Sequence, residues 1–393
     1  MNPPENAGQR PPLVPLVWEE GRVRILDQRL LPGREQYVEA RDAGAVADAI
    51  IQMRLRGAPL IGVAAAYGVA LEARRLLDGH RSAEFYDRMK QTISHLLGCR
   101  PTAVNLMRAL APPARWLEEG RDPGDFAARC EEWAHGLARM EAEACDAMGR
   151  LGADCLKAAG RILTHCNTGR LATVGTGTAL AVVREAVRRD PAYRVTCTET
   201  RPWLQGARLT AYELSREGIP VDLVTESAAG DRLLDHAIDY FIVGADRMSP
   251  DGRVVNKVGT HMLAQLARTG GARTMVVAPT TTIDWEWDPA HPAILERRSG
   301  EELWAATGCP EIPPGIQVDN PVFDLTPPDL IDWIVTEKGV IAPAGGEGFD
   351  PHRFASGLEG AWNRSPVAGG GNQVKFARAA SSPPSRDLPP HDR

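Results

Sequence analysis

Residues 161–166, Arg161-Ile162-Leu163-Thr164-His165-Cys166, begin a region in which short apolar or β-branched runs alternate with helical stretches. The further runs of this kind are Tyr193–Thr200, Pro220–Ser227, Tyr240–Arg247 and Thr274–Thr281. The helical stretches between and after them are Thr178–Val187, Gly206–Arg216, Gly230–Ile238 and Val258–Thr269. Strands that alternate with helices at this spacing predict an α/β domain with a Rossmann-like, doubly wound parallel sheet. We assign this domain to residues 151–350.

The preceding part of the chain has a different pattern. Residues 17–39 alternate in strand fashion, with a turn at Leu31-Pro32-Gly33. Helical patterns then continue from Ala43 to Arg150 with a few breaks. We therefore predict a mainly helical N-terminal domain with a small strand portion over residues 16–150. We expect a flexible N-terminus over residues 1–15 and a disordered tail over residues 365–393, which contain five prolines and Gly369-Gly370-Gly371.

The composition excludes several classes of function. The chain has 393 residues and a formal net charge of −6, without the basic stripe that binding to nucleic acid requires. No run approaches the roughly 20 apolar residues of a membrane span. The seven cysteines form no CxxC pair, and the nine histidines form no HExxH pattern. We therefore expect a metal-free, cytoplasmic protein without disulfides, whose partners include neither nucleic acid nor membrane.

The strand ends carry the candidate functional residues, because ligands of open parallel α/β sheets bind beyond the carboxyl ends of the strands. These ends present Cys166–Gly169, Glu199–Arg201, Glu226-Ser227, Asp246-Arg247 and Pro279–Thr282. Each has an alternative structural interpretation. Cys166 could be a small buried apolar residue, and Asp246 could cap a loop or a helix. Outside the strand ends, Arg56 and Arg100 could form surface ion pairs, and Asn256-Lys257 could begin a helix.

A glycine-containing loop lies between the first strand and its helix. Gly175, Thr176, Gly177 and Thr178 could bind a phosphate, since glycines let the backbone approach an anion and a helix N-terminus offers free N–H groups. Leu180 stands where a dinucleotide-binding motif has its third glycine, so a dinucleotide site is disfavoured. The same loop is also compatible with a simple tight turn between strand and helix.

Longer ordered segments along residues 18–341 carry a family resemblance. They are Leu26–Arg29, Arg56–Gly68, Arg100–Leu106, Thr164–Asn167, Glu199–Pro202, Leu204–Arg208, Gly244–Arg247, Asn256–Thr260, Ala278–Asp284, Asn320–Asp324 and Thr336–Ile341. With these segments the chain resembles the methylthioribose-1-phosphate isomerase family, which belongs to a wider group with the regulatory subunits of the translation-initiation guanine-exchange factor.

The resemblance implies an aldose–ketose isomerase of methionine salvage that acts on a small sugar phosphate as a homodimer without a cofactor. It converts 5-methylthioribose 1-phosphate to 5-methylthioribulose 1-phosphate. Cys166 and Asp246 would be the catalytic pair. The substrate-binding residues that it implies are Arg56, Gly57, Ala58, Arg100, Gln205, Asn256 and Lys257.

The reaction assigns a role to each member of the pair. Asp246, if burial keeps it protonated, would donate a proton to the ring oxygen and open the sugar. Hydrogen then moves from C2 to C1, with Cys166 either as a base or as a group that shapes the site for a hydride shift. The sequence leaves both routes open.

Two segments depart from the family pattern, namely Thr225-Glu226-Ser227-Ala228-Ala229 in place of Asp-Asn-Met-Ala-Ala, and Leu295-Glu296-Arg297-Arg298-Ser299. Both bear on the C5 substituent of the sugar, so isomerases of 5-deoxyribose 1-phosphate or ribose 1,5-bisphosphate are alternatives. A second phosphate would need another basic cluster, and none is evident. A non-catalytic regulatory subunit is a further alternative, although it would not need both Cys166 and Asp246.

Overall fold

The computed structural model describes residues 11–19, 21–77, 82–100, 103–120, 122–287 and 296–342. The predicted disordered tail, residues 365–393, lies outside these ranges, as do residues 1–10 of the predicted flexible N-terminus.

The first part of the chain is mainly helical with a small sheet, as predicted. The sheet is antiparallel in the order β1-β2-β3. Its strands are β1 (Leu16–Glu19), β2 (Arg22–Leu26) and β3 (Tyr37–Ala40), and the helices are α1 (Ala43–Ile51), α2 (Ala58–Leu77), α3 (Ser82–Cys99), α4 (Val104–Glu118) and α5 (Pro123–Asp154). α2 is the central helix of this part, because it packs against α1, α3, α4 and α5.

The small residues of α2 explain this central position. Gly62 faces the backbone of α4, where an added Cβ would lie 2.9 Å from the Asn105 carbonyl oxygen. Gly68 faces α1, where an added Cβ would lie 3.3 Å from Val46. A helix that exposes so little side-chain volume can be approached closely by several neighbours at once. The small residues at these positions in the sequence therefore indicate a buried helix.

The second part contains the strands and helices β4 (Arg161–Thr164), α6 (Ala179–Arg189), β5 (Arg194–Thr198), α7 (Ala211–Arg216), β6 (Val221–Val224), α8 (Glu226–Leu234), β7 (Tyr240–Val243), β8 (Arg247–Met248), β9 (Val254–Lys257), α9 (Thr260–Thr269), β10 (Arg273–Val277), α10 (Gly300–Trp304), β11 (Phe323–Thr326), β12 (Trp333–Thr336) and β13 (Gly339–Ile341). Seven of these strands form one sheet in the order β13-β12-β10-β7-β4-β5-β6. All neighbours are parallel except β12 and β13. The predicted doubly wound sheet is confirmed.

The structure corrects the sequence prediction at several elements. The predicted strand 240–247 divides into β7 and β8, because Gly244-Ala245-Asp246 leaves the main sheet. β8 pairs instead with β9, and β9 with β11, in a separate antiparallel sheet that was not predicted. α8 begins earlier than predicted because the Thr225 hydroxyl caps its first turn. β12 and β13 were not predicted either.

The helical part packs directly on the sheet part through α5 and α6. Gly149 and Gly152 of α5 lie against Ala181 and Val182 of α6, so that an added Cβ would come within 3.3 Å of α6 at both positions. Buried side chains of α5, α6 and the sheet then form one continuous core, among them Met148, Leu180, Val183, Ile162 and Ile242. The described residues lie within one compact unit, so the predicted domain boundary near residue 150 stays a prediction. Among those residues, no helix is both long and apolar enough to cross a membrane.

A single turn of π-helix, Gly206–Thr210, precedes α7 and presses against the end of β5. A Cβ added at Gly206 would lie 1.7 Å from the Thr198 carbonyl oxygen.

We therefore expect Gly206→Ala to lower the free energy of unfolding by about 3 kcal/mol, the upper end of the usual cost of overpacking. Gly98→Ala is the matched control, because that exposed helical position has nothing within 4 Å and alanine favours the helix. Denaturant titrations measure both, and equal stability of the two variants would contradict the expectation.

Glu141 is a buried carboxyl at the contact between α5 and the loop that follows β10. Its Oε1 atom accepts a hydrogen bond of 3.0 Å from the Thr281 hydroxyl, whereas Oε2 has no partner among the described residues. Burial raises the pKa of Glu141 from 4.5 to about 7. The folded protein therefore favours the neutral acid.

The sign of the linkage follows from this raised pKa. The stabilising effect of proton binding is fully present below the unfolded pKa of 4.5 and is lost as the pH rises through about 7. The difference corresponds to roughly 3 kcal/mol. We expect Glu141→Gln to remove this loss, so that the stability of the variant relative to the natural protein improves steadily from pH 5 to pH 8. Unfolding titrations across that range measure it, and a constant difference would contradict it.

Candidate active site

One cavity lies beyond the carboxyl ends of β4, β5 and β7 and is closed from the side by β9. All of the predicted catalytic and substrate-binding residues line it, namely Arg56, Gly57, Ala58, Arg100, Cys166, Gln205, Asp246, Asn256 and Lys257. They come from four separate parts of the chain, since the segment before α2, the loop before α4, the strand ends and β9 each contribute. The functional roles of these residues remain predictions.

Cys166 follows β4 in a left-handed backbone conformation, with φ of 64°. Its N–H donates a hydrogen bond of 2.9 Å to the Thr200 hydroxyl, and its carbonyl accepts one of 2.6 Å from the Thr210 hydroxyl. Burial raises the pKa of the Cys166 thiol, while the positive charges of Arg56 and Lys257 act in the opposite direction. The thiol is therefore buried but lies within the field of two cations.

Asp246 lies in the segment between β7 and β8, where the chain leaves the main sheet. Its N–H donates a hydrogen bond of 3.0 Å to the Val255 carbonyl, which fixes the segment against β9. Burial raises the pKa of the Asp246 carboxyl, and the nearby Lys257, Arg56 and Arg100 oppose this shift. Such a carboxyl can hold a proton at higher pH than an exposed aspartate.

The cations of the cavity differ in their partners. Arg56 is 7% exposed and donates hydrogen bonds to two neutral oxygens of Asn167, in the side chain and in the main chain. The Lys257 ammonium lies 4.9 Å from the centre of the Phe323 ring, and burial lowers its pKa. Arg100 instead forms an ion pair of 3.1 Å with Glu296. Within the described part of the chain, neither Arg56 nor Lys257 forms an ion pair with a carboxylate.

The remaining predicted residues contribute shape and polarity. Gly57 has φ of +103°, and an added Cβ would lie 2.5 Å from the backbone of Ala172, so a side chain cannot be placed there. Gln205 is buried, and its Oε1 atom has no hydrogen-bond partner among the described residues. The Asn256 side-chain amide donates 3.0 Å to the Thr260 hydroxyl. Gln205 thus offers an acceptor, in a cavity otherwise rich in donors.

The glycine-containing loop lies mostly outside the cavity, and its phosphate-binding role stays a prediction. Of its four residues only Thr178 lines the cavity. Gly175 packs against α5, where an added Cβ would lie 2.9 Å from the Ala142 Cα atom, and the Thr176 hydroxyl donates 2.8 Å to Asp146. Gly177 packs against the main chain of residues 168–169. These glycines permit close packing within the protein.

Several cavity residues were missed by the sequence analysis. They are Met53, Trp203, Asn320, Phe323, Glu302 and, as an individual residue, Arg298. Arg247, which had been noted only as a strand-end residue, also lines the cavity. Most of them lie in loops or short elements far from the main strands, where no periodic pattern is present. Asn320 and Phe323 do lie in the segment Asn320–Asp324 that carried the family resemblance. No group of metal-binding side chains occurs among the described residues.

The field of Arg56 on Cys166 can be measured. We expect Arg56→Gln to raise the pKa of the Cys166 thiol further, because it removes the cation with the largest lowering effect. The pH dependence of Cys166 alkylation by iodoacetamide, followed by peptide mass spectrometry, should move to higher pH. Arg298→Gln is the control, because Glu302 pairs with that guanidinium at 2.5 Å. An identical alkylation profile for Arg56→Gln and the natural protein would refute the effect.

Comparisons of the sequence with known proteins identify its relatives. The sequence profile of the initiation factor 2 subunit family matches residues 54–343. The methylthioribose-1-phosphate isomerase of Thioalkalivibrio sulfidiphilus is 45% identical over 326 residues, which cover 83% of this chain and 92% of that protein. The methylthioribose-1-phosphate isomerase of Ectopseudomonas mendocina is 45% identical over 330 residues, with 83% and 91% covered.

Two solved structures are also similar. The 5-methylthioribose 1-phosphate isomerase of Pyrococcus horikoshii has 37% identity and a TM-score of 0.79, with 89% of this chain and 97% of that chain covered. The translation initiation factor eIF-2B subunit delta of A. fulgidus has 37% identity and a TM-score of 0.73, with 84% and 96% covered. The chain therefore belongs to the initiation factor 2 subunit family and, within it, to the methylthioribose-1-phosphate isomerases.

Proposed function

We propose that this chain converts 5-methylthioribose 1-phosphate to 5-methylthioribulose 1-phosphate, a step of methionine salvage, in the cavity that contains Cys166 and Asp246. The observation that carries the proposal is the meeting in one cavity of a carboxyl of raised pKa, a thiol and two cations that have no carboxylate partner among the described residues. An acid, a second proton-transferring or site-shaping group and a binding site for an anion are the parts that isomerisation of a sugar 1-phosphate requires.

Asp246 is suited to ring opening. The phosphate occupies the anomeric oxygen, so the ring opens by protonation of its own oxygen and cleavage of the bond from that oxygen to C1. Burial raises the pKa of the Asp246 carboxyl, which favours the protonated acid that this step needs. Once Asp246 has given up its proton, Lys257 and Arg56 stabilise the carboxylate, because both favour its charged form. The same cations thus support the acid after it has acted.

Hydrogen then moves from C2 to C1 by one of two routes. In the first, the Cys166 thiolate removes the C2 proton, an enediol-type intermediate forms, and the proton returns to C1 while the C2 hydroxyl gives its proton to the Asp246 carboxylate to leave the ketone. In the second, hydride moves directly from C2 to C1 of the open cation, and the C2 hydroxyl loses its proton to become the ketone. Arg56 and Lys257 favour the thiolate and therefore the first route, whereas burial of the thiol favours the second.

The charge pattern of the cavity favours one phosphate. The two further arginines that line it are already paired with carboxylates, since Arg247 binds Asp284, and Arg298 binds Glu302 through contacts of 2.5 to 3.0 Å. Apolar side chains share the lining, among them Met53, Ile61, Trp203, Val322 and Phe323. A methylthio group or a methyl group at C5 suits such a surface better than a second dianion. These contacts favour 5-methylthioribose 1-phosphate over ribose 1,5-bisphosphate.

We also propose that the chain works as a homodimer in the cytoplasm. The family resemblance supports the homodimer. All seven cysteines lie in the described residues and none forms a disulfide, which is the usual state in a reducing compartment. Light scattering coupled to gel filtration of the purified protein tests the first part of this proposal.

Phosphorus and proton NMR of the purified protein with 5-methylthioribose 1-phosphate test the reaction. We expect conversion to the ketose 1-phosphate, and a loss of at least about a thousandfold in kcat for both Cys166→Ser and Asp246→Asn, because each removes a group that the proposed reaction uses. Arg298→Gln is the control for a change in the cavity lining.

Two alternative substrates, assayed separately, complete the test. 5-Deoxyribose 1-phosphate should react more slowly, and ribose 1,5-bisphosphate should react least, because the extra arginines are paired. Failure to convert any of the three sugars would refute the isomerase proposal and would favour a regulatory subunit. A preference for the bisphosphate would refute the assignment of the C5 substituent.

A further inference from the structure

The end of β5 carries a second strained residue beside Cys166. Thr200 adopts φ of 65°, almost the same left-handed conformation as Cys166 at 64°. This region is unfavourable for any residue other than glycine and most unfavourable for a β-branched one such as threonine. Such conformations persist only where surrounding interactions hold them, and they cluster at functional sites.

A chain of hydrogen bonds leads from Cys166 through Thr200 into the protein interior. The Cys166 N–H lies 2.9 Å from Thr200 Oγ1, which lies 3.0 Å from Thr198 Oγ1. Thr198 Oγ1 lies 2.7 Å from His165 Nδ1. His165 Nε2 lies 2.9 Å from the carbonyl oxygen of Val258, the residue after Lys257. Four hydrogen bonds therefore join the Cys166 backbone to the end of β9.

The two ends of this chain fix the direction of every bond. The Val258 carbonyl can only accept, so His165 Nε2 carries a hydrogen and Nδ1 of the neutral ring is an acceptor. Thr198 must then donate to Nδ1. At the other end the Cys166 N–H can only donate, so Thr200 Oγ1 accepts from it, and the Thr200 hydroxyl donates a hydrogen bond to Thr198 Oγ1. This direction of the bonds holds while His165 is neutral.

The surroundings of His165 favour that neutral state. The ring is buried, and burial lowers the pKa of His165 to about 4, with Lys257 acting in the same direction. The Glu226 carboxylate is the acidic group nearest to it, at 4.0 Å from Nδ1, but its Oε1 accepts 2.6 Å from the Thr200 N–H. Gly259 packs against the ring, where an added Cβ would lie 3.3 Å from it. The ring is thus held between β9 and the strand ends.

Thr200 itself is held on its other side by a residue from the segment that departs from the family pattern. The Glu226 carboxylate, which follows β6, accepts the Thr200 N–H. The Cys166 carbonyl accepts independently from Thr210. Both main-chain polar groups of Cys166 are therefore bound, one of them through Thr200.

We propose that Thr200, oriented through Thr198 and His165, is a positioning residue that holds the Cys166 backbone in the conformation that directs its thiol into the cavity, at a fixed place relative to Lys257. The inference rests on the proposed catalytic role of Cys166. Thr200 acts through Cys166 and makes no contact with substrate in this role. Its hydroxyl is required, because only an oxygen can accept from Cys166 and donate to Thr198 at the same time.

The test compares Thr200→Val, which keeps the β-branched shape but removes the hydroxyl, with Thr200→Ser, which keeps the hydroxyl. Thr274→Val is the matched control, since Thr274 is a buried threonine of β10 whose hydroxyl has no partner among the described residues. We expect Thr200→Val to lower kcat by about ten- to a hundredfold with KM changed by less than about threefold, because a small misplacement of a reacting group costs rate rather than binding. Thr200→Ser should retain kcat within about threefold of the natural protein. Thr198→Val should act in the same direction as Thr200→Val, with a smaller effect.

A second readout does not depend on catalysis. In Thr200→Val the thiol turns away from Arg56 and Lys257, so the pH profile of Cys166 alkylation should move to higher pH, while Thr274→Val and Thr200→Ser leave it in place. An unshifted profile together with kcat equal to that of Thr274→Val would overturn the proposal. Equal losses in the valine and serine variants would also overturn it, since they would show that the hydroxyl is not needed. A shifted profile in a protein whose Cys166→Ser variant stays fully active would refute the catalytic role of Cys166 and leave the positioning of its thiol intact.

Discussion

The contact between Arg56 and Asn167 connects the two parts of this molecule at the place where its chemistry is proposed. Arg56 comes from the helical part, and Asn167 follows Cys166 at the end of β4. The Asn167 amide in turn donates 2.8 Å to the Glu213 carboxylate, and that carboxylate also binds Arg184 at 2.8 Å. A buried charge must be paired or hydrogen-bonded, so each member of this series depends on the next. If the series were displaced, Arg56 would lose its position above the thiol, and the turn after β4 would lose its anchor.

Five of the seven strands of the main sheet could be predicted, because they are short runs of apolar or β-branched residues separated by helical stretches. The small sheet of β8, β9 and β11 could not. Its first strand has two residues, and its last pairs Phe323 with Lys257, far apart in the sequence. Such pairing leaves no local periodic signal. Asn256-Lys257, which could have begun a helix, instead ends β9, the central strand of this sheet, and the buried Lys257 side chain lines the cavity.

The candidate site was likewise predicted only in part. The strand-end rule located Cys166 and Asp246, because it depends only on where apolar runs stop. The glycines of the loop with Gly175 and Gly177 suggested a phosphate site, which stays a prediction, since a glycine required for packing looks the same in sequence as one required for an anion. Arg298 and Glu302 could not be predicted as cavity residues for a different reason. An arginine becomes informative only when its partner is known, and the pairing of these two residues is a property of the folded chain.

Arg56 and Lys257 have no carboxylate partner within the described part of the chain, and their charges affect how the substrate arrives. The protein as a whole carries a formal charge of −6, so a doubly negative sugar phosphate is weakly repelled at long range. Within the screening distance of about 8 Å in physiological salt, the local positive potential of the cavity dominates. Encounter with the surface at large is therefore unproductive, and capture occurs only at the mouth of the cavity. Added salt weakens both the repulsion by the protein surface and the attraction by the cavity. Because the exposed surface is screened more strongly than the enclosed cavity, salt lowers the overall rate of encounter more than it lowers the preference of the substrate for the cavity.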